Sequence, residues 1–181
     1  MNLLIIETYP ALKRLQKKLY NDYKKIDNCR LCKSKNLQEL HKFKSVPIGN
    51  NLNSSKNESL KLKRFELKIN NCNNCNHFQL SISINPNILY AKNYTYLTGI
   101  TNSFKIHFEK YSDWILKRCN IKKNSIVLDI GSNDGTCLEY FKKKGMRVIG
   151  IDPAKLASEK ANKRGIKTIN DFFNKKTSDE I

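Results

Sequence analysis

An α/β chain in two parts is the fold this sequence predicts: a small β-rich domain held by paired cysteines, then an incomplete parallel α/β half-domain. Three observations carry that expectation. Two Cys-x-x-Cys pairs, "CRLC" at Cys29–Cys32 and "CNNC" at Cys72–Cys75, are separated by 39 residues. Short runs of alternating polar and apolar residues fill and follow that interval. From Ser125 onward, short apolar strands alternate with helical segments, and that βαβαβ texture means a parallel sheet.

Taken in order, the elements divide the chain at residues 1–28, 29–85, 86–124 and 125–181. "YPALKRLQKKLYNDYKKI" sets Leu12, Leu15, Leu19, Tyr23 and Ile26 at helical spacing, an amphipathic helix starting after Pro10. Within 29–85, "LQELHKF" before "PIGNN" and "KLKRFELKI" before the second cysteine pair are candidate strand pairs, with "NNLNSSKNES" as a polar loop between them. "FQLSISI" alternates Phe78, Leu80, Ile82 and Ile84 and reads as one further strand. The segment 86–124 is a connector followed by a helix with Phe104, Phe108, Tyr111, Ile115 and Leu116 on one face. After it come "SIVLDIG" (strand), "DGTCLEYFKKKG" (helix), "RVIGID" (strand), "PAKLASEKANKRG" (helix) and "IKTIND" (strand). "FFNKKTSDEI" begins another helix or a tail.

Composition narrows the functional classes. The 181 residues carry a net charge of +18. The Lys+Arg against Asp+Glu counts are 6 and 3 over 1–28, 10 and 3 over 29–80, 7 and 2 over 81–124, and 11 and 8 over 125–181. The excess leans toward the cysteine-rich half and forms no long basic block. Lys, Asn and Ile supply 70 of the 181 residues, as an AT-rich coding sequence would, so the lysines are read as solvated surface rather than a nucleic-acid face. "MNLLII" is too short an apolar run for a secretory signal, and nothing reads as membrane-spanning. Six cysteines without such a signal imply a reducing, cytoplasmic setting, where Cys-x-x-Cys pairs bind metal. Cys119 and Cys137 are read as small buried hydrophobes.

A Cys-x-x-Cys turn points two thiolates at one ion, and two such turns close a tetrahedral sphere suited to structural Zn²⁺. The ligands expected are Cys29, Cys32, Cys72 and Cys75, with Arg30, Lys33 and Lys35 nearby favouring thiolate. Iron and a redox dithiol are the alternatives. His41 and His77 could substitute, but four cysteines leave no vacancy. A sheet this poor in apolar residues is expected to need the metal to fold.

"VLDIGSNDG" follows a strand and opens a helix. It lacks the second glycine of the G-x-G-x-x-G dinucleotide loop. Asp129, Gly131, Ser132, Asn133 and Gly135 instead resemble the first motif of the Rossmann-like S-adenosylmethionine-dependent methyltransferases. There an acidic residue and a glycine-rich turn hold the amino-acid end of the cofactor. Asp152, ending "RVIGID", falls about 21 residues after Gly131, where a carboxylate can take ribose hydroxyls. The plainer readings are helix caps at Asp129 and Asp152.

The order of features is similar to that of the sugar C-methyltransferase family, which joins an N-terminal four-cysteine zinc-binding domain to a Rossmann-like methyltransferase core and a C-terminal domain. The residues that carry this are "CRLC", "PIGN", "CNNCNHFQL", "NYTYLTGITNSFKIHF", "VLDIGSNDGT" and "GIDPA", spanning 29 to about 175. Thr98 stands where the family's connector usually has Ser. The resemblance implies methyl transfer from S-adenosylmethionine to a nucleotide-linked ketosugar through an enolised carbon. Tyr96, or else Tyr94, would sit at the sugar and polarise or protonate an oxygen. Both could equally be packing residues, and His107 is read as packing on a helix face.

One βαβαβ half is present, and a doubly wound domain has two. A three-stranded half-sheet exposes an edge and an uncovered apolar face. The expectation is a fragment, a truncated frame or one member of a split pair. A C-terminal fragment or a complementing subunit would be its partner, and the chain alone would not turn over. Two competing readings stay open: a zinc-ribbon RNA methyltransferase, and a non-catalytic zinc-binding partner subunit.

Overall fold

The structure is a computed structural model and describes residues 22–50, 52–92 and 94–181. The described residues divide into two compact units, 22–49 with 53–89, and 90–181 (without 93) with 50 and 52. Most of the helix expected from Pro10 lies outside the described residues. Its end does not, and there the expectation is corrected. Tyr23–Lys25 is a strand, β1, paired antiparallel with Ile82–Ile84. Tyr23 sets its ring edge-on to Phe65 at 6.0 Å, so the pull of a sheet partner and an aromatic contact overrides helical spacing.

The first unit continues with β2 (Leu37–Lys42), β3 (Val46–Pro47), helix α1 (Lys56–Leu60), β4 (Arg64–Phe65), β5 (Lys68–Cys72), β6 (Phe78–Leu80) and β7 (Ile82–Ile84). Strands β2, β5 and β6 form an antiparallel sheet in that order, and β1–β7 and β3–β4 are separate pairs. The polar loop expected at 50–59 is in part α1, whose start is capped by the Ser55 hydroxyl accepting from the Glu58 amide.

"FQLSISI" is two strands in two sheets, because the chain changes sheet at Ser81. The Ser81 amide donates to the Lys68 carbonyl, while its own carbonyl accepts from Ile26. Alternation also misleads in β6: Phe78 and Leu80 are exposed and Gln79 is buried. The Gln79 side chain accepts from the Arg30 amide at 2.8 Å and donates to the Asn28 carbonyl at 3.1 Å. A polar residue faces inward there because two backbone groups of the first cysteine turn need partners.

In the second unit a π-helical turn at Asn87–Lys92, which begins in the first unit, and a 3-10 turn at Thr98–Ile100 precede α2 (Asn102–Arg118). Then follow β8 (Ile126–Ile130), α3 (Thr136–Lys143), β9 (Arg147–Ile151), α4 (Lys155–Lys163), β10 (Thr168–Ile169) and α5 (Lys175–Ser178). The strands are parallel in the order β10-β9-β8, the stepwise arrangement that successive right-handed crossovers produce. Val127 and Val148 pack on Leu138, Ala161 and Ile166, so α3 and α4 cover one face. Ile126, Leu128 and Ile130 alternate onto the other and remain exposed, the uncovered apolar face expected of a half-sheet. Helix α2 packs on α3, with Ser112 fully buried and Tyr111 edge-on to Phe141 at 6.2 Å. Cys119, expected in a core, is exposed at the end of α2; Cys137 is half-buried.

Candidate functional site

The two cysteine turns are backbone copies of one another. In the first, Lys33 donates to the Cys29 carbonyl at 3.0 Å and Cys29 donates to the Ser34 carbonyl at 2.7 Å. In the second, Asn76 donates to the Cys72 carbonyl at 2.7 Å and Cys72 donates to the His77 carbonyl at 2.9 Å. The residue after each second cysteine, Lys33 and Asn76, takes a positive φ of 65° and 56°, which reverses the chain. Both turns hang from strand ends: the first before β2, the second after β5, with Leu37 facing Cys72 in the ladder.

The four sulfurs lie within 4.8 Å of one another. Cys29–Cys75 and Cys32–Cys72 are 3.6 Å apart. Four sulfurs at tetrahedral angles, each about 2.3 Å from a central ion, stand about 3.8 Å apart, so the set fits zinc. Among the described residues this is the only cluster with that geometry, and neither His41 nor His77 joins it. Without an ion the thiols differ. The Ser34 amide and the Asn74 side chain lower Cys32 to about 6, while burial, then the Cys32 thiol, push Cys75 up to about 12. A cation at the centre removes that conflict by favouring every thiolate.

The second unit holds a cavity of about 300 Å³ at the end of β8, lined by Thr98, His107, Phe108, Tyr111, Asp129, Gly131, Ser132, Asn133 and Cys137. Asp129 lies on the helix-covered face with Val127. Its carboxylate has no hydrogen-bond or ionic partner among the described residues. Burial, then the carboxylate of Asp152, raise it above the ordinary 3.8. An unpaired, half-buried carboxylate at a cavity wall is chemically able to accept from a cationic group.

Asp152, at the corresponding end of β9, is the opposite case. Its two oxygens accept from the Asn133 amide at 2.8 Å and the Ala154 amide at 2.7 Å. It therefore caps the turn after β9 and ties that turn to the glycine loop. Gly135 takes φ 73°, and a Cβ there would stand 2.9 Å from Ile166, so the loop enters α3 only with glycine at this point. The Ser132 hydroxyl is buried without a partner among the described residues.

Asn133 and Asp134 do something the sequence did not announce. Asn133 accepts from the Thr98 amide at 2.8 Å and donates to the Tyr96 carbonyl at 3.0 Å. Asp134 accepts from the Gly99 amide at 2.9 Å and from the Thr136 hydroxyl at 2.6 Å. The connector "YLTG" is thereby clamped onto the glycine loop. Gly99 is required by proximity, since a Cβ would fall 2.5 Å from the Thr136 hydroxyl.

Of the residues expected at the cofactor, Asp129, Gly131, Ser132 and Asn133 come together at the cavity, whereas Gly135 and Asp152 brace the loop behind it. Tyr94 and Tyr96 stand outside the lining. Tyr94 packs on Leu97, Ala154 and Ala157, with burial, then Asp152, raising its phenol; Tyr96 is exposed beside it at 6.4 Å. His107, Phe108, Tyr111 and Cys137 were not expected at the cavity. The signal was the aromatic run at 107, 108 and 111, one helical turn that places three rings together.

A closed four-cysteine centre in one unit, and in the other a strand–glycine-loop–helix corner with an acid-lined cavity, define the class: a zinc-binding module joined to a Rossmann-like half-domain. Comparison with known proteins agrees. Residues 29–90 match the family described as "Putative zinc binding domain". Over 156 residues the chain is 31% identical to the C-methyltransferase NovU of Streptomyces niveus, a match covering 86% of this chain and 37% of that protein. The chain thus spans just over a third of the length of this curated relative. Parts of it are similar to solved plantazolicin methyltransferases. For BpumL with SAH and a pentazolic desmethylPZN analog, identity is 27%, coverage 40% of this chain and 30% of that one, and the TM-score 0.33. For BamL with SAH and a triazolic analog, the figures are 24%, 42%, 29% and 0.32. The resemblance to C-methyltransferases with an N-terminal zinc-binding domain is supported by the family match and by NovU. Among the described residues no helix is long and apolar enough to cross a membrane.

Proposed function

We propose that this chain is the zinc-binding and methyl-donor-binding part of a C-methyltransferase acting on a nucleotide-linked ketosugar, with S-adenosylmethionine as donor. The observation that carries the reading is Asp129, a carboxylate without a partner among the described residues, facing a cavity beside a glycine loop. Asp129 accepts from the donor's ammonium. The loop from Gly131 to Asn133 lets the ligand approach the backbone. Zinc, bound by Cys29, Cys32, Cys72 and Cys75, holds the first unit folded and takes no part in the chemistry, because a four-sulfur sphere has no open position. S-adenosylmethionine supplies an electrophilic methyl group. The Asn133–Asp134 clamp fixes the segment bearing Tyr96 relative to the loop that binds the donor. Tyr96, exposed, is the better placed of the two tyrosines to meet a sugar oxygen. The relationship to NovU supports the C-methylation reading.

The 181 residues alone bind donor without turning over, since the open face at Ile126, Leu128 and Ile130 leaves the sheet incomplete. A C-terminal polypeptide or a complementing subunit would supply the rest. Equilibrium dialysis of the zinc-loaded chain with methyl-labelled S-adenosylmethionine tests the donor site. Saturable binding is expected, weakened about 10- to 100-fold in Asp129→Asn, the loss of a charge-assisted bond. A folded, zinc-loaded chain that does not bind, or binds equally well as Asp129→Asn, contradicts the reading. Methyl transfer to nucleoside-diphosphate ketosugars by the chain alone contradicts the second part.

One observation favours a zinc-ribbon RNA methyltransferase instead. Lys24, Lys25, Arg30 and Lys33 line a hollow of about 610 Å³ beside Cys29, with Asp27 the only acid among its lining. Binding of RNA that falls steeply with salt would advance that alternative.

A further inference from the structure

The basic residues around the first cysteine turn lack counter-charge. A hollow of about 610 Å³ opens where β1 runs into that turn, and Lys24, Lys25, Arg30 and Lys33 line it with Asp27 as their only acid. None of the four cations has an ionic partner among the described residues. The unit's other carboxylates are engaged elsewhere: Asp22 with Lys63, Glu39 with Lys68, Glu66 with Lys42 and Glu58 with Ser54. Residues 1–21 add four Lys or Arg and one Glu, so the preceding sequence brings no net negative charge. A zinc ion with four thiolates carries two negative charges, fewer than the three net positive charges of the hollow. The frame is fixed while most of the charged heads are free. Lys24 faces Ser83 in the β1–β7 ladder, and the Ile26 amide donates to the Ser81 carbonyl at 2.9 Å. Gln79 holds the Asn28 carbonyl and the Arg30 amide. The Lys33 ammonium donates to the Arg30 carbonyl at 2.8 Å and keeps two further donors.

We propose that this hollow in the zinc-binding unit is an anion site for the diphosphate of a nucleotide-linked substrate, held by Arg30, Lys24, Lys25 and Lys33. This rests on the reading of the substrate as a nucleotide-linked sugar, and it gives the zinc-binding unit a ligand of its own. The diphosphate of a sugar nucleotide bears two negative charges on oxygens that only accept hydrogen bonds. Arg30 offers a planar fork that can pair with two of those oxygens, and the lysines offer point charges. Asn28 and Ser83, also in the lining, add neutral donors. The volume falls within the range of about 300–1,000 Å³ usual for small-ligand sites. No aromatic ring belongs to the lining, so the hollow offers charge without the stacking platform that single-stranded RNA uses.

The test titrates uridine diphosphate glucose into the full zinc-loaded chain, followed by NMR of the backbone amides at about 0.1 M salt. Saturable shifts are expected at residues 24–33. Lys24→Gln, Lys25→Gln and Arg30→Gln should each weaken binding about 3- to 30-fold, the loss of one charge-assisted contact in a partly exposed site. Lys44→Gln, at an exposed lysine outside the lining, should leave it unchanged. Lys24 and Lys25 lie outside both cysteine turns, so their variants carry the test even where Arg30→Gln loses metal. A wild type that does not bind, or an equal loss in Lys44→Gln, overturns the proposal. Binding undisturbed by all three hollow variants overturns it too, and leaves the nucleotide-linked substrate standing. Tighter, steeply salt-dependent binding of an oligouridylate through the same residues overturns it in favour of RNA. S-Adenosylmethionine titrated into the same samples reports the donor site separately. Donor bound without the diphosphate ester strikes this proposal alone, and the ester bound without donor supports it while striking the donor reading.

Discussion

The two units solve the problem of staying folded by different means. Beyond its ligand cysteines, the first buries only Phe65 and Ile82 among its described apolar side chains. The second buries Leu97, Leu138, Phe141, Met146, Ile151, Ala154, Ala157, Ala161 and Ile166. One is pinned by four sulfurs and a buried glutamine, the other by a packed face of sheet and helix. The contrast extends to their polar groups. In the first unit the buried Gln79 satisfies the metal turn; in the second Asp152 is satisfied and Asp129 is not. The first unit also buries oxygens without a partner among the described residues, Asn71 Oδ1 and Ser81 Oγ, so what sets the second apart is that its unpaired group is a carboxylate at a cavity wall.

The largest expected effect breaks the comparison at its metal. Structural zinc in small modules is worth about 10–16 kcal/mol. Chelation is therefore expected to abolish amide-exchange protection in β2, β5 and β6, while β8, β9 and α3, which contain no metal ligand, keep theirs. Protection of both units without metal would show that the first has a sufficient core. Next is Gln79→Leu, which orphans the Arg30 amide and the Asn28 carbonyl at about 1–3 kcal/mol per group. It should raise zinc loss to a competing chelator and leave the second unit's thermal transition in place. Gly99→Ala should cost about 1–3 kcal/mol by crowding Thr136 and Asp134, read as a lower denaturant midpoint for the second unit and weaker ordering of the 96–99 segment.

The smallest effect concerns Asp129 and its sign. Its carboxyl is raised in the folded chain, by burial first and by Asp152 second. The folded state therefore holds that proton more tightly than the unfolded state. This contribution to stability is complete below the ordinary 3.8 and is lost as pH rises through the raised value. Above that window, Asp129→Asn should be slightly more stable than the parent in the absence of ligand, because an unpaired charge has been removed. A variant less stable at neutral pH would show that Asp129 has a partner after all.

The metal centre was legible because a Cys-x-x-Cys turn is local: four residues fix their own geometry, and only the pairing of two turns is distant. The βαβαβ order was legible for the same reason, since strand and helix periods are local signals. What escaped was set by partners far away in the chain. Tyr23 keeps helical spacing yet joins Ile84 in a strand, and Gln79 points inward for a backbone amide 49 residues away. Asn133 was read only as a ligand contact, and the second task of its side chain, holding Tyr96 and Thr98, was not visible. The aromatic wall at 107–111 was visible as one face of a helix, but not as the wall of a cavity, because what it faces lies on another element.

The most direct measurement follows the Asp129 carboxyl carbon by NMR through a pH titration, with and without S-adenosylmethionine, on the zinc-loaded chain. In the free chain it should titrate above the ordinary aspartate value. With ligand bound its titration should move to lower pH, since a neighbouring cation favours the carboxylate. An Asp129 resonance that ignores saturating ligand, or that moves to higher pH, contradicts the cavity's role as a cation-accepting donor site.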